Sequence, residues 1–336
     1  MDEKRIEKFR EMVGSCSDVI AILVAQVDPD ALGTAAQMRK AFEALDKRVE
    51  IYYAGKISQL NRSLFSLFDL DKIFHPLPNA LPSHLTLALV DSSMSEDARF
   101  GALGKINPKF VIDHHKGDIR DDAEHWVEIQ GVGSASALAA DLCFSLGLSF
   151  ADDSDTAILG AMGIANDTDE LAALETRALD RHMHARLMDF ADQDTYHRAR
   201  KYQLPERYYD ILKNVLDSRR SAHSTLIASG GFIAEDEKDF LARIANNLMR
   251  SQGMTCVYVW AVVDEINLVV KARTIDASTD LNQELKRQFG EKFAGAKTWQ
   301  GGAEIPLGVL APSGEASKAL LLQYLDMEMR AKFRIG

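Results

Sequence analysis

Four short stretches of this 336-residue chain place acidic side chains just where an apolar run or a helical stretch should end. QVDPDALG carries Asp28 and Asp30 around a proline, and VDSS carries Asp91. VIDHHKGD carries Asp113, His114 and His115, and LGAMGIAN runs into Asp167-Thr168-Asp169. Adjacent side chains on an extended backbone point to opposite faces, so Asp113, His114 and His115 converge only if the chain turns there. Asp is a common turn and cap residue, and one such position says little. Four sets at equivalent ends would bring several carboxylates close together, and such a cluster repels itself unless cations sit among it. Carboxylate plus imidazole, with no thiol in any of the stretches, suits Mn²⁺, with Mg²⁺ or Co²⁺ as alternatives.

The elements that must position these residues are readable from periodicity. VIAILVA (19–25), VEIYYA (49–54), LTLALVD (85–91) and FVID (110–113) are expected strands, and Thr34 to Leu45 an expected helix after the first of them. Helices are also expected at Ser134 to Leu148 and at Ser154 to Asn166. Strands alternating with helices imply an α/β domain with a mainly parallel, doubly wound sheet. Ligands of open parallel sheets bind beyond the carboxyl ends of the strands, which is where the acidic residues fall. A polar, helical stretch interrupted by Pro205 follows, and is read as a connector. Beyond it, an amphipathic helix (FLARIANNLMR), two adjacent strands (TCVYVWAVV and INLVVKAR), a helix from near Asp280, the segment GAKTWQGGAEIPLG and a last helix make a second, smaller α/β domain. The expected boundaries are residues 1–188, a connector at 189–220, and 221–336.

Composition bounds the function. The chain has 39 basic and 50 acidic side chains, a formal charge of −11, 46% hydrophobic and 26% charged residues. That is ordinary globular composition, and its sign argues against coating long nucleic acid, which needs a broad cationic surface. A small phosphorylated ligand stays compatible, because metal ions or arginines reverse the sign locally. Cys16, Cys143 and Cys256 are odd in number and far apart, and are read as buried thiols of a reducing compartment. The N-terminus reads as a charged helix start and not a signal peptide, and no apolar run approaches the ~20 residues that span a bilayer. A cytoplasmic protein with no membrane partner is expected, with homodimerisation left open.

The four stretches, in this order, resemble the motifs of the DHH phosphoesterase family, and within it the oligoribonuclease (nanoRNase) and cyclic-dinucleotide phosphodiesterase types that carry a DHH-associated C-terminal domain. DPDALGT is similar to the first motif, VDSS to the second, IDHH to the third and NDT to the fourth; KIS…NR, KART and GGAEIPLG resemble further family segments. The resemblance implies two metal ions, one on Asp28 and the other on Asp30, His114 and Asp167, with Asp91 bridging. It implies that Asp113 and His115 orient the shell and contact the phosphate, and so, with His114, form the catalytic group. Two such ions ionise a water at neutral pH and clamp a phosphoryl oxygen.

Arg273 would give a bidentate phosphate contact from the second domain, across a cleft between the two. Lys297, Gly301 and Gly302 occupy the glycine-rich stretch, where the family usually has Gly-Gly-His and this chain has Gly295-Ala296-Lys297. Asn61 and Arg62 are candidate substrate contacts, although Asn is equally a good helix N-cap. The histidine that opens the first family motif is missing: its place falls on Val24 or Gln26, so the first ion is expected to bind weakly. His182 and His184 are read as solvent-facing, and Trp299 as a core or interface residue. The expected activity is metal-dependent hydrolysis of short phosphodiesters: dinucleotides, linearised or cyclic dinucleotides, or short oligonucleotides. Two alternatives remain. One is a phosphatase of 3′-phosphoadenosine 5′-phosphate or polyphosphate. The other is a nucleotide-binding protein with a degraded first metal site.

Overall fold

A computed structural model describes residues 1–201 and 203–335 of the chain. The chain divides into two compact units, Met1–Ile57 with Asn61–Tyr202, and Ser58–Leu60 with Gln203–Gly336.

The first unit contains α1 (Glu3–Gly14), β1 (Val19–Val24), α2 (Pro29–Glu43), β2 (Arg48–Tyr53), α3 (Arg62–Leu67), β3 (Phe74–Pro76), β4 (Thr86–Val90), β5 (Phe110–Asp113) and β6 (Trp126–Ile129). It continues with α4 (Ala135–Ser145), α5 (Ser154–Asp167), α6 (Ala178–Met188) and α7 (Gln193–Arg200). Its sheet is parallel throughout, in the order β3-β2-β1-β4-β5-β6. The order reverses between β1 and β4. Because parallel crossovers are right-handed, the connections on the two sides of that reversal lie on opposite faces of the sheet.

The register makes this concrete. Ile22, Ala88, Phe110 and Trp126 line up across four strands and face α1, α2 and α4. Their neighbours Leu23, Leu89, Val111 and Val127 point the other way, against Phe100, Ile106 and Ile119. That second face is covered by a 3₁₀ segment, Ala98–Leu103, and by irregular chain around it. On the first face, Phe9 of α1 stacks against Phe42 and meets Phe110 and Trp126 edge-on at 4.9–5.6 Å. Each such buried apolar side chain contributes about 1.5–3 kcal/mol, and this is what holds α1 on the sheet.

Helix α2 begins at Pro29, five residues before the periodicity predicts. Asp28 supplies the N-cap, accepting from the Ala31 amide at 2.9 Å, and Pro29 has the φ of a first helical residue already set. A proline that reads as loop punctuation here starts a helix.

The second unit comprises α8 (Glu206–Ser218), β7 (Arg220–Ala222), β8 (Thr225–Ile233), α9 (Lys238–Leu248), β9 (Cys256–Val263), β10 (Asn267–Thr274), α10 (Leu281–Phe289), β11 (Ala294–Ala296), β12 (Gln300–Pro306) and α11 (Glu315–Phe333). Its sheet runs β11-β12-β10-β9-β8-β7, antiparallel except for the β8–β9 pair. Val257, Val259, Ala261 and Val269 face α8 and α9; Tyr258, Trp260, Val262 and Val270 face the side of α10 and α11. Helices on both faces bury all eight residues of β9, which is why it reads as one unbroken apolar run.

The polar stretch at 189–220 is shared between the units. Tyr196 and Ala199 of α7 join the core of the first, while Tyr208, Ile211 and Val215 of α8 join that of the second. Cys143 and Cys256 are buried as free thiols, whereas Cys16 is only half-buried. Among the described residues no helix is long and apolar enough to cross a membrane.

Candidate metal centre

The turn expected after β5 is present, and Asp113 makes it. Its Oδ1 accepts from the amides of His114 and His115 at 2.7 and 3.0 Å and from His115 Nδ1 at 2.8 Å. Its Oδ2 accepts from Ser93 Oγ at 2.6 Å. The carboxylate is completely buried. Burial pushes its pKa up, but the bonds from His115 and Ser93 outweigh burial and hold it below the usual carboxylate range. With both oxygens engaged, Asp113 positions the two histidines.

A backbone carbonyl and the Asp113 carboxylate fix the histidine tautomers. His114 Nδ1 lies 3.3 Å from the Val132 carbonyl, which can only accept, so Nδ1 carries the proton and Nε2 keeps its lone pair. That Nε2 lies 3.4 Å from Asp167 Oδ2, 3.6 Å from Asp91 Oδ1 and 3.8 Å from Asp30 Oδ2. His115 spends Nδ1 on Asp113, and the rest of this exposed ring is left to face outward.

Asp30, His114 and Asp167 therefore come from the N-terminus of α2, the end of β5 and the end of α5. Each offers one ligand atom, all within 4.8 Å of one another. Asp91, Asp113, His114 and His115 form a second such group, although Asp113 and His115 Nδ1 are already committed to each other. Asp28 is in neither group.

The electrostatics favour a cation. Asp30 is fully buried and is gripped by the N-terminus of α4: Ala135 and Ser136 amides donate to its two oxygens at 2.8 and 2.9 Å. Even so, burial, then Asp167 and Asp28, raise its pKa well above the usual range. Burial raises Asp91 in the same way, followed by Asp30, Asp28, Asp167 and Asp113. Asp91 also sits at φ 50°, a left-handed conformation that Asp tolerates better than most residues. Its Oδ1 is buried with no hydrogen-bond donor. Carboxylate oxygens, an imidazole nitrogen with its lone pair turned inward and an unsatisfied buried oxygen together fit a hard divalent cation of the manganese or magnesium class.

Several supports carry no sequence signal. Ser136 Oγ also donates to the Asp30 carbonyl at 3.0 Å. Buried Asp180, from α6, accepts from the Gly133 amide at 2.9 Å and so braces the turn whose Val132 carbonyl orients His114. A Cβ on Gly133 would meet Thr168 Cγ2 at 2.4 Å, so only glycine fits beside Asp167's neighbour. The Gly133-Ser134 pair before a helix of small residues is the one local hint of this cradle.

The other expected site residues have local partners within their own units. Asn61 sits at the N-cap of α3 without capping it; its Nδ2 donates to the Val27 carbonyl at 2.8 Å, bracing the loop that carries Asp28. Arg62 is exposed at the start of α3. In the second unit, buried Arg273 donates to Asn246 and, at 2.8 Å, to the Ala272 carbonyl, with its guanidinium 5.6 Å from the half-buried Trp299 ring. Lys297 is in the turn between β11 and β12, its amide bonded to Gln300. Gly301 and Gly302 allow close strand approach, because a Cβ would meet Ala296 at 2.4 Å and the Val270 carbonyl at 2.5 Å respectively. His182 is exposed as expected, but His184 is half-buried, and burial lowers its pKa.

No protein-family model and no curated protein matches the sequence. Solved structures do. An exopolyphosphatase-related protein from Bacteroides fragilis superposes with a TM-score of 0.72 at 13% identity, over 98% of this chain and 97% of that one. Weaker likenesses extend to a putative family II inorganic pyrophosphatase from Methanococcus jannaschii (TM-score 0.45, 15% identity, 86% and 93% of the two chains). They also extend to RecJ from Thermus thermophilus in complex with Mn²⁺ (0.47, 13%, 95% and 54%). With its parallel β3-β2-β1-β4-β5-β6 sheet, its second mixed sheet and this likeness over nearly its whole length, the chain has the DHH phosphoesterase fold.

Proposed function

We propose that the chain is a divalent-cation-dependent phosphodiesterase of short substrates, working in the cytoplasm with Mn²⁺ as its preferred ion. Dinucleotides, linearised or cyclic dinucleotides and oligonucleotides of a few residues are the substrates meant. The observation that carries the reading is the convergence of Asp30, His114 and Asp167 around the unsatisfied Asp91 oxygen, at the reversal point of a parallel sheet. The formal charge of −11 supports a short substrate over a long polyanion.

Asp30, Asp91, His114 and Asp167 would hold the cation, which when bound makes water acidic enough to ionise at neutral pH and neutralises a phosphoryl oxygen. The protein does the rest. Asp113 and the Val132 carbonyl hold both imidazoles in one tautomer. His115 is the group we assign to a proton or a phosphate oxygen at the exposed rim. In the second unit, Arg273 and Lys297, beside the close-packed Gly301 and Gly302, are assigned to an anionic group of the substrate. Asn61 supports the Asp28 loop, and Arg62 remains a candidate contact.

One observation favours a second reading, a phosphatase of small phosphates or polyphosphate: the likeness to the exopolyphosphatase-related protein spans both chains almost completely. A hydrolysis screen separates the two. Chelated protein resupplied with Mn²⁺ is incubated with dinucleotides, cyclic dinucleotides, phosphomonoesters and polyphosphate, and the products are identified by mass. Cleavage of an internal phosphodiester is expected; phosphate release from monoesters or polyphosphate alone selects the second reading, and no turnover rejects both. His114→Ala should lower kcat/KM by at least the 10–100-fold that losing even an outer partner of a metal ligand costs, with an unchanged circular-dichroism spectrum.

A further inference from the structure

Trp126 and Trp260 are fully buried in the apolar interiors of the first and second units. Trp299 is different. It is only half-buried and belongs to none of the apolar clusters formed by the described residues, so it is not the core tryptophan that the sequence allowed. It is nevertheless held in place. Its carbonyl accepts from the Thr274 amide at 2.9 Å, one residue beyond the β10–β12 ladder. The Arg273 guanidinium lies 5.6 Å from its ring centre, within the range of a cation–π contact. Arg273 is itself fixed by Asn246 of α9 and by the Ala272 carbonyl.

A second cation stands beside this pair. Side chains two apart on a strand share a face, so Lys271 and Arg273 lie on the same side of β10. Lys271 is paired across the ladder with Gly302, and its Cδ lies 3.6 Å from where a Cβ on that glycine would be. The lysine stem therefore runs beside a residue with no side chain to cover it. Among the described residues no carboxylate is within ion-pair distance of Lys271.

We propose that Trp299 is a stacking platform for a nucleobase and that Arg273 and Lys271 beside it take the attached phosphate, so that the second unit selects phosphodiesters carrying a base over polyphosphate. The inference rests on the substrate-binding role given above to Arg273, and names the substrate class of that site. Every base has a π-face, so an indole reads the presence of a base and tolerates its identity. An indole that only shielded Arg273 would serve every anion alike.

Calorimetry on the chelated full chain, with turnover stopped, tests this with adenosine 5′-monophosphate and inorganic tripolyphosphate as the two probes. Trp299→Ala should weaken the nucleotide by about 5–100-fold, the cost of removing the aromatic under one base, and change tripolyphosphate by less than about twofold. Trp299→Phe, which keeps a π-face, should stay within about fivefold of the parent for the nucleotide. Trp299→Leu, apolar but without a π-face, replaces the Ala variant if that one does not fold. Lys271→Met should weaken both probes by about tenfold or more, the worth of a hydrogen bond from a charged group. No nucleotide binding by the parent, an unchanged nucleotide affinity without the indole, or an equal loss of both probes would each overturn the proposal. Unchanged affinities in Lys271→Met would overturn the part given to that lysine. A loss confined to the nucleotide, in a chain without phosphodiester turnover in the screen above, would leave the proposal standing and reject the phosphodiesterase reading instead.

Discussion

Asp30 and Asp91 are carboxylates that the fold makes expensive to ionise. Their raised pKa sets the sign of a pH effect. Below the pKa of the unfolded chain both groups are protonated in either state and cost nothing. As pH rises, the unfolded chain ionises first, and the metal-free folded protein loses stability until the folded-state pKa values are passed. A cation binds the ionised form, so it restores more stability as pH climbs. The shift in thermal midpoint caused by Mn²⁺ should therefore be larger at about pH 8 than at about pH 5.5. Asp91→Asn should raise the midpoint of the chelated protein, by about 2–4 °C for each kcal/mol of repulsion relieved, and flatten its pH dependence. A midpoint shift independent of pH would contradict the assignment of these two groups to the cation. Thermal melts with and without chelator are the measurement.

Helix packing decides whether Asp30 stays in place. Gly33 lies where α2 crosses α5: a Cβ there would meet the Leu159 carbonyl oxygen at 2.5 Å and Ser136 Oγ at 2.7 Å. Backbone cannot give way as a side chain can, so Gly33→Ala should cost about 1–3 kcal/mol. It should also weaken Mn²⁺ binding, because it shifts α2 and Asp30 against the α4 amides. Gly14→Ala, with nothing within 4 Å, is the control and should be near neutral. Denaturant melts and metal titrations of both variants test this.

The strands that end in Asp91 and Asp113 and the helix that ends in Asp167 were legible in the sequence, because an apolar run stopping at an acidic residue is a local pattern. The short strands β3 and β6 were not, since three or four residues give too few periods. Strand β8 hides behind Ser229-Gly230-Gly231, where the register slips and Gly231 takes φ +79°. Strand β12 lies within the glycine-containing segment, where Gly301 and Gly302 interrupt the strand pattern. Within the site, the ligand-type residues were legible and their supports were not. Asp30 is held by Ala135 and Ser136, and the turn before α4 by Asp180. Each comes from a distant segment with no motif to connect it.

At the scale of the whole molecule, the two units have separate apolar cores, and the chain carries its excess of acidic side chains as a net repulsion for polyanions. Long duplex DNA should bind more weakly than about 100 µM at 0.1–0.2 M salt, the weak limit for non-specific binding, while a short dinucleotide competes for the Mn²⁺-loaded protein. Fluorescence anisotropy on a labelled duplex of about 30 base pairs gives the answer; micromolar affinity would reject the short-substrate reading.

The position of β1 at the middle of the first sheet also has a consequence in time. Strands β1, β2 and β3 are consecutive in the chain and form one flank of the sheet, carrying Asp28 and Asp30 with them. Asp91, His114 and Asp167 follow only as the other flank and α5 are synthesised. During translation, half the sheet can assemble with its acidic residues still facing water. The like charges meet last, after most apolar surface is covered, and their repulsion is a late obstacle to closure. A divalent cation bound at that moment would act as a fastener between the early and late halves of the domain.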